Sequence, residues 1–198
     1  MVIAVVLPLT TGREARSVSW VAERETGEEA GGMSATAEVE AVAEVVTSLV
    51  GGAWPDDSSS AQVVLERLGF AIEAGSGTEL GPGSVLREFA VLPSGIESGS
   101  VQAMDNAFAG VILMFGSDPV PASGKTGTLY RELLGLLTEL LGPAVRVWET
   151  ELTPVQWPVG ALDVGLQLFD NRDSTVMVWV EHRARAALAE SVVRGDIG

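Results

Sequence analysis

The pattern that most restricts the fold lies in the C-terminal part of the chain. Apolar side chains stand at every second position of two segments, 162–169 and 175–181, with a polar turn at 170–174 between them. Successive side chains of a β-strand point to opposite faces, so each segment predicts a strand that buries one face. Two such strands joined by a short turn form an antiparallel hairpin. The chain is therefore expected to build an antiparallel sheet covered by another layer.

Several segments have the periodicity of helices instead. Valines recur at helical spacing over 36–50, and a short helix is predicted after a capping box at 59–62. The most regular segment is 129–141, where five leucines line one face and Gly142-Pro143 follows. Residues 182–193, rich in Ala and Arg, predict a terminal helix.

The remaining strands are shorter and less regular. The order helix, Leu-Gly, strand occurs at 63–72 and again at 134–145, each time followed by two further strand candidates, and a degenerate αβββ duplication is one interpretation. The predicted fold is α+β, an antiparallel sheet of about five or six strands with helices packed on one face. The other predicted strands are 70–74, 85–92, 110–115 and 145–152, with loops at 75–83 and 93–106.

The first 32 residues differ from the rest. Residues 12–32 are polar, rich in Gly and Glu and weakly periodic, which predicts a poorly constrained N-terminal extension. Gly27-Glu28-Glu29 can be encoded by a purine-rich stretch, and Met33 follows closely, so one hypothesis takes Met33 as the native start. The alternative is an edge strand at 2–9 with a mobile linker. Residues 33–198 are predicted to form a single α+β domain.

The charge balance favours binding to a basic partner. The chain has 27 acidic and 12 basic residues, a formal charge of -15, and 46% hydrophobic residues, which indicates a folded protein with an acidic surface. Such a surface repels nucleic acid and anionic membranes and attracts basic proteins. With no cysteine, disulfides and thiolate metal sites are excluded, and the cytoplasm is the expected location. We predict no cofactor.

One short motif resembles a phosphate-binding loop. Ser123-Gly124-Lys125-Thr126 follows a predicted strand and precedes a helix, and it contains the chain's one lysine. The complete motif needs a glycine where Pro119 stands, and Pro121 also removes a backbone N–H. An ordinary helix N-terminus is the preferred interpretation.

Catalytic residues are few. His182 is the single histidine and has no recognisable nucleophile or orienting partner, so we expect no catalytic role for it. Carboxylate pairs occur at 56–57, 149–151 and 170–173 and could serve a hydrolase, although such pairs are expected by chance in an acidic chain. The prediction is a protein that is not an enzyme.

Exposed tryptophan beside carboxylates is typical of a binding hot spot for a basic partner. Our predicted interface combines two tryptophans as candidate anchors with five carboxylates from the same part of the chain. These residues are Trp148, Glu149, Glu151, Trp157, Asp163, Asp170 and Asp173. One of the tryptophans, Trp157, precedes Pro158 and is predicted to lie in a turn.

Residues 129–190 resemble small, acidic, single-domain proteins of high-GC bacteria, some of them similar to toxin-immunity proteins. The features that carry the resemblance are the leucine-rich helix ending in Leu140-Leu141-Gly142-Pro143, the segment around Trp157 and the two strands of the hairpin. The resemblance implies a cytoplasmic inhibitor that caps a basic toxin, and it carries no functional residue across. The order of helices and strands also resembles secretion-chaperone-like folds, so an adaptor is the alternative, and a carboxylate-dependent hydrolase is the third candidate.

Overall fold

The computed structural model describes residues 35–75, 77–146 and 154–195, and within them it confirms the predicted α+β class. The predicted interface residues Trp148, Glu149 and Glu151 and the predicted extension at 1–32 lie outside the described residues. The four described helices are α1 (Ala35–Gly51), α2 (Ser58–Arg67), α3 (Gly124–Leu141) and α4 (Arg183–Arg194). The nine described strands are β1 (Ala71–Ile72), β2 (Thr78–Gly81), β3 (Ser84–Val91), β4 (Ser98–Met104), β5 (Ala107–Asp118), β6 (Val145–Arg146), β7 (Val155–Val159), β8 (Leu162–Asp170) and β9 (Ser174–His182).

All described strand pairs are antiparallel and form one sheet in the order β1-β3-β4-β5-β9-β8-β7-β6, with β2 paired to β3. The order divides at the β5–β9 pair into two meanders, β3-β4-β5 and β6-β7-β8-β9, whose last strands meet at the centre. A helix precedes each half in the chain: α2 comes before β1 to β5, and α3 comes before β6 to β9. The two halves therefore have five and four strands, where the αβββ pattern predicted three in each. The sheet is larger than the predicted five or six strands.

The main core lies between one face of the sheet and helices α1 to α3. Val42 and Val46 of α1 and Leu133 and Leu137 of α3 are fully buried against the sheet. Burying an aliphatic side chain of this size contributes about 1.5–3 kcal/mol, so the helical periodicity read from the sequence has a direct energetic basis. The strands place their alternate apolar residues on the same side, among them Val164 and Val178.

Helix α4 departs from the predicted arrangement. It contacts β2, β3, β4 and β5, and Val192 lies against Gly81. Its buried residues Ala186 and Ala189 do not belong to the main core cluster. Helix α4 therefore packs on the opposite face of the sheet from α1 to α3, which corrects the prediction that all helices lie on one face.

Local signals explain the ends of two helices. Asp57 caps α2: its side chain accepts from the Ser60 backbone N–H, and the Ser60 hydroxyl accepts from the Asp57 N–H. This reciprocal pair replaces the capping box predicted at 59–62. Helix α3 ends at Gly142, whose φ of 91° is readily adopted by glycine and whose N–H donates to the Thr138 carbonyl.

Three strands escaped the sequence analysis. Strand β2 lies in the segment predicted as a loop at 75–83. Strand β4 lies in the segment predicted as a loop at 93–106, and Asp105 and Asn106, with φ of 48° and 67°, form its two-residue turn into β5. Strand β7 contains Trp157 and Pro158, which were interpreted as a turn. No described helix is both long and apolar enough to cross a membrane.

Candidate functional site

The face of the sheet opposite the main core carries an unusual group of side chains, which we call the second face. It is defined by the residues of β8 and β9 that alternate with the core positions. Asp163 is paired with Glu181, Gly165 with Trp179 and Gln167 with Met177 across the two strands. Their neighbours Val164, Val178 and Val180 point into the core, so the strand alternation itself places these residues together.

Trp179 lies across the strand next to it. An added Cβ at Gly165 would overlap the indole ring of Trp179, so the ring occupies the space that any side chain at position 165 would need. Trp179 is only 4% exposed, and its indole N–H has no acceptor of normal hydrogen-bond geometry among the described residues. A buried donor without a partner is rare in proteins, and the described residues contain a second one, the Trp157 indole N–H in the core.

Glu181 lies beside Trp179 on the same face of β9. Burial is the main cause that raises the pKa of Glu181 to about 7, and the carboxylates of Asp163 and Glu190 contribute to the same shift. The Trp179 indole N–H acts in the opposite direction and lowers this pKa, although its geometry falls short of a full hydrogen bond. Gly110 of β5 leaves room on the other side, because a Cβ there would come within 3.0 Å of the Glu181 Cβ.

The two neighbouring carboxylates each have an arginine, whereas Glu181 has no ion-pair partner among the described residues. Arg183 forms a two-pronged contact with Asp163, with N–O distances of 2.7 and 3.0 Å. This contact raises the pKa of the Arg183 guanidinium, chiefly through the hydrogen bond to Asp163. Arg194 contacts Glu190 at 3.4 Å on α4. Of the three carboxylates, Glu181 is the one that no arginine of the described residues contacts.

Further polar atoms on or near the second face are buried without a partner in the described part of the chain. Gln156 stands opposite Gly165 on β7, and Gln167 lies one pair further along β8. The unpartnered atoms are Gln156 Nε2, Gln167 Oε1 and His182 Nδ1. Each such atom loses hydrogen bonds to water that the described residues do not replace.

The structure separates the predicted interface residues that it describes. Trp157 is 1% exposed and belongs to the core cluster, so it is not available as a surface anchor. Asp163 lies on the second face but is paired with Arg183. Asp170 accepts hydrogen bonds from the Ala122 N–H and the Ser174 hydroxyl, a supporting role for the loop before α3.

Asp173 is exposed in the β8–β9 turn, at the opposite end of these strands from Glu181. The three predicted carboxylates that the structure describes, Asp163, Asp170 and Asp173, therefore do not form one patch with Trp157. Sequence reasoning missed Glu181, yet a signal was present: pairing 162–169 with 175–181 around a short turn puts Asp163 opposite Glu181. Two like charges directly opposite one another in a sheet are unfavourable and need an explanation.

The Ser123–Thr126 segment forms the start of α3 and not a phosphate-binding loop. The Ser123 hydroxyl donates to Asp118, and the Val120 N–H donates to the same carboxylate. These two hydrogen bonds, with the nearby Lys125, lower the pKa of Asp118. Thr126 is buried and donates to the Gly116 carbonyl. The loop N–H groups of Val120 and Ala122 thus already point at carboxylates of the chain itself, which agrees with the preferred interpretation from sequence.

Two cavities lie elsewhere. The larger, about 330 Å³, is lined by α1 and α2 and the linker between them, including Ser48, Pro55 and Arg67. The smaller, about 10 Å³, lies beneath β3 and β4 near Arg87 and Phe108. Neither is lined by a carboxylate. Across the described residues, no group of three or more His, Cys, Asp or Glu side chains is arranged to hold a metal ion.

No family model matches the chain. Comparison with curated proteins finds no significant similarity, and comparison with solved structures finds none either. The functional argument therefore rests on the second face.

Proposed function

We propose that this protein is a non-enzymatic, cytoplasmic binding protein that docks a basic protein partner on the second face, in the manner of an immunity-type inhibitor. The observation that carries the proposal is the excess carboxylate at Glu181: Asp163 and Glu190 are each matched by an arginine, and Glu181 is not. The charge of -15 supports it as well, because it steers a basic partner toward the protein from a distance.

The mechanism follows from electrostatics. A basic side chain placed at Glu181 would offset the repulsion between this carboxylate and the neighbouring carboxylates of Asp163 and Glu190. The same contact would bury the remaining exposed part of Glu181 and the edge of Trp179, and a well-buried anchor of this kind commonly dominates the binding energy. Inhibition would follow if the docked surface of the partner overlaps its active site.

The test uses two variants with the same change of charge. Wild-type protein, Glu181→Gln and Glu139→Gln are used as baits in native lysate, and captured proteins are identified by mass spectrometry. Glu139 is the control because it is exposed on α3, which packs on the other face. We expect a basic protein that Glu181→Gln captures poorly, that Glu139→Gln captures normally and that high salt releases.

The captured protein is then purified and its direct binding and activity are measured with and without the three baits. Binding that depends on Glu181, together with loss of the partner's activity, supports the proposal. Equal binding to all three baits would place the interface elsewhere and overturn it. Capture of a disordered segment of a secreted protein would favour the adaptor function instead.

A second candidate is a carboxylate-dependent hydrolase. It is favoured by one observation, since a carboxyl group with a pKa of about 7 beside a second carboxylate is the arrangement of a general acid. Against it, both cavities lie away from Glu181. Turnover of a panel of chromogenic glycosides that Glu181→Gln abolishes and Glu139→Gln preserves would establish the hydrolase and refute the binding function.

A further inference from the structure

We propose that the groove between α1 and α2 binds a small organic molecule that carries one carboxylate group on a short aliphatic chain. The groove is the larger of the two cavities, lined by α1, α2 and their linker, and Arg67 is the residue that contacts the carboxylate. This inference goes beyond the proposed function and does not depend on it, because α1 and α2 pack on the opposite side of the sheet from the second face.

The groove is open to solvent and large enough for a small ligand. Its volume of about 330 Å³ is at the lower end of the range of small-molecule pockets in proteins. Of its lining residues, Leu49 and Pro55 are buried, whereas Ser48, Gly52 and Ala53 are exposed. A ligand can therefore enter from solvent past the exposed residues and contact apolar side chains inside.

The linker that forms one wall of the groove is held in place by other parts of the fold. Trp54 stacks on Phe108 of β5, with ring centroids 4.7 Å apart, and its indole N–H donates to the Phe108 carbonyl at 3.1 Å. Arg185 of α4 donates to the Pro55 carbonyl at 2.7 Å. Because these contacts fix the linker in the free protein, the groove exists before a ligand binds, which lowers the entropic cost of binding.

Arg67 is the charged side chain among the described residues that line the groove. Its guanidinium forms no ion pair or hydrogen bond with a described residue. The carbonyls of Leu65 and Glu66 at the end of α2 already accept from backbone N–H groups of residues 68–70. The guanidinium donors are therefore available to a ligand in the groove.

A carboxylate with an aliphatic chain matches this combination of groups. A planar guanidinium can donate two parallel hydrogen bonds to a carboxylate and is only weakly hydrated, so it loses little when water is displaced. The aliphatic chain gains from contact with Leu49, Val64 and Leu68. A singly charged group fits better than a phosphate, because the formal charge of -15 repels a doubly charged anion about twice as strongly.

The probe is octanoate, titrated into the full chain at constant pH and ionic strength while amide chemical shifts are recorded. Acetate, which lacks the long chain, and octanol, which lacks the charge, are the ligand controls. The protein variants are Arg67→Gln and Arg172→Gln, which change the charge equally. Arg172 is the matched control because it is exposed in the turn between β8 and β9 and does not line the groove.

We expect octanoate to shift amide signals within residues 48–68. Arg67→Gln should weaken octanoate binding by about tenfold or more, since hydrogen bonds to a charged group are lost. Arg172→Gln should change the dissociation constant by less than about twofold, because water and salt screen a distant exposed charge. Acetate and octanol should each bind at least about tenfold more weakly than octanoate.

Three outcomes would each overturn the proposal. The first is the absence of shifts within 48–68 at about 10 mM octanoate, a concentration at which a ligand of this size should bind a matching site. The second is equal binding of octanoate to wild-type protein and Arg67→Gln. The third is octanol that binds as tightly as octanoate, because the groove would then select for the chain alone. Circular dichroism verifies before the titrations that both variants fold, and none of these outcomes bears on docking at Glu181.

Discussion

Replacing Glu181 by Gln should make the protein more stable at alkaline pH. Glu181 carries a charge in a largely buried position between Asp163 and Glu190, and the variant keeps the shape while removing that charge. An ordinary glutamate has a pKa of 4.5, and this one has a pKa of about 7. The folded protein therefore holds the proton more tightly than the unfolded chain does.

The sign and size of the effect follow from proton linkage. Stability is lost wherever the folded state binds more protons than the unfolded state, so ionisation of Glu181 lowers the free energy of unfolding as the pH rises from 4.5 through about 7. The full loss above pH 7 is roughly 3 kcal/mol, because each tenfold change in proton affinity is worth about 1.4 kcal/mol. Part of this is already lost at pH 5, because that pH lies above the pKa of 4.5 of an ordinary glutamate, and about 2–3 kcal/mol is lost between pH 5 and pH 8.

The measurement is urea denaturation, followed by far-UV circular dichroism, at pH 5 and pH 8. The stability advantage of Glu181→Gln over wild-type protein should grow by about 2–3 kcal/mol between the two pH values, and a constant offset caused by the amide itself does not affect this difference. Exposed Glu139→Gln should change stability by less than about 0.5 kcal/mol at either pH. An advantage that grows by less than about 1 kcal/mol, or that shrinks with rising pH, would refute the buried, partnerless state of Glu181.

Three further predictions concern the scaffold around the second face, and all are measured by urea denaturation at pH 5. Trp157→Ala should destabilise the protein by about 3–5 kcal/mol, because this side chain is 1% exposed in the core. Gly165→Ala should cost more than about 1 kcal/mol, since the new methyl group overlaps the Trp179 ring. Asp170→Ala should cost about 1–3 kcal/mol, because the hydroxyl of the buried Ser174 loses its acceptor. Hydrogen exchange at the Ala122 amide, which also donates to Asp170, should accelerate.

Each of these predictions has an outcome that contradicts it. A Trp157→Ala protein of wild-type stability that loses partner binding would restore the surface anchor expected from sequence. Gly165→Ala at wild-type stability would mean that Trp179 does not lie over β8. Unchanged exchange at Ala122 in the Asp170 variant would mean that the carboxylate does not hold the loop before α3.

Sequence periodicity predicted the helices and strands whose apolar residues repeat regularly along the segment. The hairpin at 162–169 and 175–181 corresponds to β8 and β9, and the valine-rich helix at 36–50 corresponds to α1. The leucine-rich helix was also found, although it begins at Gly124 instead of 129, because its first turn is fixed by contacts such as Thr126 to Gly116 and not by apolar spacing.

Strands with weak patterns could not be found in this way. Strand β4, Ser98–Met104, is rich in small polar residues, and it is a strand because β3 and β5 pair with it on both sides. Those partners satisfy its backbone hydrogen bonds, a contribution that no local sequence pattern reports. Trp157 was assigned to a turn because Pro158 follows it, yet the sheet buries it between β6 and β8.

The sequence by itself determined the α+β class, the hairpin, the main helices and the excess of acidic residues, because each depends on local periodicity or on composition. Only the tertiary structure decided which carboxylate is distinctive. Glu181 differs from the other acidic residues through Gly110, Asp163, Trp179 and Glu190, which four elements of the fold bring around it. Desolvation and charge repulsion act over distances of a few ångströms in space, and separation along the chain says little about them.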